Sequence, residues 1–187
     1  MKKIISTVLG VLFTFASSAQ AENTYFKGKK ILIAYYSYSG NTQKIAEAIQ
    51  HDVGGDLFQI RTEGSYPTEH NEMTAQAKKE IEESYRPQLV TEVNNIEQYD
   101  IIFLGSPNWW GTITPQVSSF LATYNLNGKT VIPFITHGGG GVQNTISDMT
   151  QQCTGCEVMQ NGWVGYGDSK VNLGTSLGGW LEELGWK

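Results

Sequence analysis

The apolar run Ile31-Leu32-Ile33-Ala34-Tyr35-Tyr36 passes through Ser37-Tyr38-Ser39-Gly40-Asn41-Thr42 straight into a helical pattern. That junction constrains the fold more than any other feature. An uninterrupted apolar run of this length suits a strand buried on both faces. Ile45, Ala48, Ile49 and Val53 then recur at i, i+3, i+4 and i+8, one side of a helix. Three side-chain hydroxyls, a glycine and the free N–H groups of a first helical turn are therefore gathered at one point. Such a cluster suits an anion, because the donors converge, the helix dipole is positive there, and Gly40 has no Cβ to obstruct approach. Lys44 is the one cation close by in sequence, so neutral donors would hold most of the charge.

The rest of the chain repeats the strand-then-helix pattern. Asp56–Arg61 reads as a second strand, and Met73, Ala77 and Ile81 mark a helix that stops before Pro87. Ile101–Leu104 is a third strand, running into Gly105-Ser106-Pro107-Asn108-Trp109-Trp110-Gly111. Pro115 suits the start of a helix with Val117, Phe120, Leu121 and Tyr124 on one face. Thr130–Ile135 is a fourth strand; Gly138 to Gly141 precede a helix carrying Val142, Ile146 and Met149. A fifth, weaker strand spans 157–164. The last helix shows Leu177, Trp180, Leu181 and Leu184. Strict alternation predicts a three-layer α/β fold, a doubly wound five-stranded parallel sheet. With the order 2-1-3-4-5, ligands bind beyond the strand ends, between strands one and three. The loops 37–42, 106–111 and 137–141 would share that edge. Together they suit a planar ring with a phosphate tail, the ring lying on an indole. His137, taken alone, reads as a hydrogen-bonded loop histidine.

The N-terminus is expected to be removed. Met1-Lys2-Lys3 is basic, Ile4–Phe15 is mostly apolar, and Ala19-Gln20-Ala21 has the small-x-small form of a cleavage site. Residues 1–21 thus read as a secretory signal peptide, leaving 22–187 as one domain without a membrane span. The full chain has 13 basic and 18 acidic residues. Removing Lys2 and Lys3 leaves 11 against 18, a formal charge of −7. That balance argues against nucleic acid and anionic membranes as partners, whose recognition rests on Lys and Arg. Cys153-Thr154-Gly155-Cys156 lacks the ligands for zinc. It follows a helix, the wrong end for thiolate stabilisation, so a structural disulfide is preferred over a redox dithiol. Gly128-Lys129-Thr130 precedes a strand and lacks the earlier glycine of a P-loop, and Ser39 lacks the glycine of a nucleophile elbow. The acidic and basic run 78–83 reads as a solvated helix face.

Tyr36-Ser37-Tyr38-Ser39-Gly40-Asn41-Thr42 resembles the FMN-phosphate loop of flavodoxins and flavodoxin-like proteins. Gly105–Gly111 is similar to the second flavin loop of one branch of that superfamily. Tyr66-Pro67, Arg86-Pro87 and Thr136–Gly141 match the same branch, so the resemblance covers residues 29–185. It implies a flavodoxin-like fold with FMN as cofactor. Ser37, Ser39, Gly40, Asn41 and Thr42 would hold the phosphate. Pro107, Asn108, Trp109, Trp110 and Gly111 would line the ring, with Gly138, Gly139, Gly140 and Gly141, and His137 beside them, at its pyrimidine end. No catalytic side chain or metal is implied, because the flavin performs the redox chemistry. The implied function is electron transfer to a redox partner protein or a quinone; members of the superfamily are usually cytoplasmic, and the expected signal peptide places this one in the periplasm. An FMN-dependent NAD(P)H:quinone-type oxidoreductase and a ligand-binding protein that has lost the flavin are the alternatives.

Overall fold

The computed structural model describes residues 26–166 and 173–186. The expected signal segment, residues 1–21, lies outside the described residues. Strands β1 (Ile31–Tyr35), β2 (Asp56–Gln59), β3 (Ile101–Pro107), β4 (Thr130–His137), β5 (Glu157–Val158) and β6 (Trp163–Tyr166) form one parallel sheet. Its order is β2-β1-β3-β4-β5, with β6 also on β4. This is the expected 2-1-3-4-5 arrangement, except that the fifth strand is broken in two. The break lies opposite Pro133, a residue with no N–H to give to a neighbour. Met159 still donates its N–H to the Val131 carbonyl, and pairing resumes at Trp163 with Phe134.

Helices α1 (Asn41–Val53), α2 (His70–Glu82), α3 (Pro115–Thr123), α4 (Thr145–Gln152) and α5 (Leu173–Glu183) connect or follow the strands. The two-residue period of each strand sends alternate side chains to opposite faces. Leu32, Ala34, Ile102, Leu104, Val131 and Ile135 face one core with Val117 and Phe120 of α3 and Met149 of α4. Ile33, Tyr35, Phe103, Ile132 and Phe134 face the other with Ile45 and Ile49 of α1 and Leu177 and Trp180 of α5. Three layers result, with α2 lying beside α3.

β3 and β4 run further than their apolar cores suggested, to Pro107 and His137. The paired register, Pro107 opposite Thr136, carries both chains out to the same edge. Val142 precedes α4 instead of lying within it, and Tyr124 caps α3. Among the described residues no helix is long and apolar enough to cross a membrane.

Candidate functional site

β1 has β2 on one side and β3 on the other, so the chain changes direction of progress across the sheet between β1 and β3. The loops leaving β1, β3 and β4 diverge there and leave a cleft of about 520 Å³. Its walls include Ser39, Asn41, Thr42, Pro107, Asn108, Trp109, His137 and Gly138. The volume falls inside the range of about 300–1,000 Å³ common to small-molecule sites.

Gly40 caps α1 in the left-handed conformation, φ 85°, and no side chain caps the first turn. A Cβ at Gly40 would meet nothing within 4 Å, so the space above this turn is open. Here an L side chain is disfavoured by the backbone, not by crowding. The Thr42 hydroxyl is buried 2.8 Å from that of Thr136, pinning the loop to the end of β4. Tyr38 donates its O–H to the Pro67 carbonyl, which ties the loop's other side to the segment before α2.

The second loop is held by Asn108. Its Nδ2 donates to the Gly141 carbonyl at 2.7 Å, and its Oδ1 accepts from the Gly111 N–H at 2.9 Å. Trp109 and Thr112 exchange both backbone hydrogen bonds, enclosing Trp110 (φ 52°) and Gly111 (φ 87°) in a tight turn. Positive φ at both central residues is the type I′ pattern. The turn sends the two indoles apart. Trp109 lines the cleft and meets Tyr36, Tyr38 and Tyr66 nearly edge-on, with centroids 5.8, 6.0 and 5.0 Å away. Trp110 is 58% exposed and lies against α2, where its Nε1 donates to the Thr74 carbonyl and Lys78 Nζ stands 5.3 Å from its ring centre. It is not among the cleft's lining residues, and neither is Gly111.

The third loop starts from His137, whose Nδ1 accepts from the Gly139 N–H and whose ring lies 4.6 Å from that of Tyr166. Of the four glycines, Gly138 reaches the cleft wall. Gly140 and Gly141 use their carbonyls to accept from Gln143 and Asn108, fixing the loop to its neighbours. Ser37 lies on the far flank of its loop and lines a different cavity. Tyr38, His70, Met73, Thr136 and Tyr166 also wall the cleft. Sequence reasoning placed none of these five. Tyr38 and Tyr166 carried a usable signal, since one is inside the first loop and the other ends the last strand. His70 and Met73 depend on the path of the 62–69 connection, which no local pattern shows.

Among the described residues no Lys, Arg, Asp or Glu lines the cleft. What these residues offer an anion is backbone N–H groups, hydroxyls and the α1 dipole. Cys153 and Cys156 are joined in a disulfide at the opposite edge of the sheet. Gly155 accepts from Gly128 just before β4, whereas His137 ends that strand. Eight residues of strand separate the two by about 23 Å at ~3.3 Å per residue. A dithiol at that end is out of contact with any ligand in the cleft.

A doubly wound sheet with an open helix N-terminus and an aromatic wall at its crossover defines a class of α/β proteins with ligands at the switch point. The family model described as flavodoxin matches residues 30–183, and the chain belongs to the flavodoxin family. It is similar to a protein from Bacteroides eggerthii DSM 20697 proposed to be a flavoprotein. The two are 28% identical, with 85% of this chain and 99% of the other covered and a TM-score of 0.72. A flavoprotein in complex with FMN from Lactobacillus acidophilus NCFM is 27% identical, covering 77% of this chain and 97% of its own, with a TM-score of 0.64. An NAD(P)H dehydrogenase (quinone) from Paraburkholderia phymatum is 29% identical over 121 residues. The chain spans 59% of the length of that curated relative.

Proposed function

We propose that this chain binds FMN in the cleft and transfers electrons in the bacterial cell envelope. The observation that carries the reading is the meeting of two features at the β1/β3 crossover. One is an uncapped helix start opened by Gly40, and the other is a slot walled by Trp109, Pro107 and Gly138. The residues fit the group. Ser39, Asn41, Thr42 and the first N–H groups of α1 would hold the phosphate. Trp109 offers an aromatic wall, and the chain at 107–108 and 137–138 offers backbone groups for the ring edge. When bound, FMN supplies one- and two-electron redox chemistry. The protein's own part is to orient it, keep one edge accessible and set the field around it. The described lining residues carry no formal charge to stabilise added negative charge on the ring. The L. acidophilus relative, solved with FMN, supports the cofactor.

Placement in the periplasm rests on the signal-like residues 1–21 and is supported by the Cys153–Cys156 disulfide, a bond of oxidising compartments. N-terminal sequencing of protein recovered from the periplasm should begin at Glu22. A second reading, an FMN-dependent NAD(P)H:quinone-type oxidoreductase, is favoured by the name of the P. phymatum relative. Steady NADH or NADPH oxidation with a quinone selects that reading; its absence, with reversible flavin reduction, selects the carrier.

The deciding experiment is an FMN titration followed by flavin absorbance and fluorescence. Stoichiometric binding is expected, with Trp109→Ala weakening it at least tenfold. A folded protein that takes up no FMN would refute the redox reading and leave a binding protein with another ligand.

A further inference from the structure

Trp109 is the indole that lines the cleft, and three tyrosines stand edge-on to it. Tyr66 is the nearest, 5.0 Å between ring centroids, against 5.8 Å for Tyr36 and 6.0 Å for Tyr38. Rings this close exchange an electron readily, so distance alone does not choose among them. The proton chooses. A phenol that loses an electron becomes a very strong acid and must release its O–H proton as well. Without a base beside it, a phenol is therefore hard to oxidise at neutral pH.

The three hydroxyls differ in this respect. Tyr38 donates to the Pro67 carbonyl, and a peptide carbonyl is far too weak a base to take the proton. Burial, Tyr38 and the field of Glu80 all raise the Tyr36 pKa, and no carboxylate among the described residues accepts from its hydroxyl. Tyr66 donates to Glu80 Oε2, a charge-assisted bond. Both ends of that bond are fixed. Gln76 Nε2, one turn earlier on α2, donates to the other Glu80 oxygen at 2.8 Å. Gln116 Nε2, on α3, donates to the Tyr66 oxygen at 3.2 Å. Burial and the Glu80 bond push the Tyr66 pKa up, so at rest the phenol keeps its proton. The proton leaves only when the electron does.

We infer that Trp109, Tyr66 and Glu80 form a relay that draws a one-electron hole out of the cleft, an electron passing from Tyr66 to Trp109 as the Tyr66 proton passes to Glu80. Trp109 first gives one electron to a one-electron oxidant in the cleft, which in the proposed function is a photoexcited flavin. Tyr66 then returns an electron to Trp109; its O–H bond breaks, and an O–H bond forms on Glu80 Oε2. In sum the oxidant gains one electron, Tyr66 loses one electron and one proton, and Glu80 gains the proton. Gln116 keeps its donor bond to the phenoxyl oxygen. The hole ends on Tyr66, which does not line the cleft but a second cavity that Trp109 does not reach. The inference deepens the FMN reading and rests on it for the oxidant, while the relay consists wholly of this chain's residues.

Azide radicals made by pulse radiolysis oxidise indoles in preference to phenols and need no flavin. In the full, flavin-free chain, loss of the indole-radical absorption should be matched by growth of a phenoxyl absorption. The step should be first-order, independent of protein concentration, and slower in D2O. Glu80→Gln keeps the shape and an oxygen to accept from Tyr66 but offers no base, and it should slow the step at least tenfold. Tyr66→Phe and Trp109→Phe should each abolish it, and Tyr38→Phe should leave it intact. Equal rates in Glu80→Gln and the parent chain, or a full phenoxyl yield in Tyr66→Phe, overturn the inference. If Tyr66→Phe does not fold, the isosteric Glu80→Gln decides by itself. FMN uptake is read separately from flavin absorbance. Conversion without uptake upholds the relay and refutes the cofactor; uptake without conversion does the opposite.

Discussion

Trp110 holds φ 52° at the tip of a type I′ turn, where asparagine or glycine is the usual occupant. A bulky residue there costs of order 1 kcal/mol in backbone strain. The bond to the Thr74 carbonyl and the Lys78 contact offset part of it. Trp110→Asn is therefore expected to leave stability within about 1 kcal/mol and FMN affinity within twofold. Trp109→Ala loses affinity at least tenfold. Parallel FMN titrations and urea melts of the two variants check this. The adjacent indoles could not be told apart from sequence, because the sign of φ at position 110 decides which one faces the cleft. Ser37 shows the same limit. It shares a loop with Ser39, yet the bend over 38–40 leaves it lining a different cavity. Gly40 was legible, since a strand running into a helix through an open turn has few other ways to bend.

At the scale of elements, the strands were readable wherever both faces are covered, because burial on both sides forces a continuous apolar run. β1, β3 and β4 satisfy that condition, and the fifth strand does not. Its two pieces, β5 and β6, alternate buried with exposed residues and are separated by a stretch that bypasses Pro133. The contact between β3 and β4 is tight enough to test. A Cβ at Gly105 would collide with the Phe134 ring, in a register where the two residues are opposite each other. Gly105→Ala should cost about 1–3 kcal/mol, as overpacked cores do. It should also weaken FMN binding, because both strands carry cleft loops. Chemical denaturation and flavin titration of this variant give the two numbers.

For the whole molecule, the disulfide and the cleft lie at opposite edges of the sheet. Replacing Cys153 and Cys156 together by serine releases a short loop and should cost at most about 2 kcal/mol. FMN affinity should stay within twofold. A larger loss of affinity would mean that the two edges communicate. Alkaline stability is also a property of the whole chain. Burial raises the pKa of Tyr35, Tyr36, Tyr66 and Tyr99 above the ordinary 10.0. Above about pH 10 the unfolded chain therefore holds fewer protons than the folded one, and stability falls as pH rises. The stabilisation is complete below that value and is lost on the way to the raised folded values. Urea midpoints measured from pH 8.5 to 11 should decline, less steeply in Tyr66→Phe.

The interrupted outer strand has a consequence for how copies of this chain behave in a crowd. On that side a passing chain finds two residues of β5, a gap, and four residues of β6, never a long straight row of backbone groups to copy. At the other side β2 begins with an exposed aspartate, and the chain just beyond it is already engaged by the strap at 87–90. Neither border offers a template for edge-to-edge growth. A proline in a central strand, which looks like a flaw in the ladder, thus helps to keep a parallel sheet from recruiting its own kind.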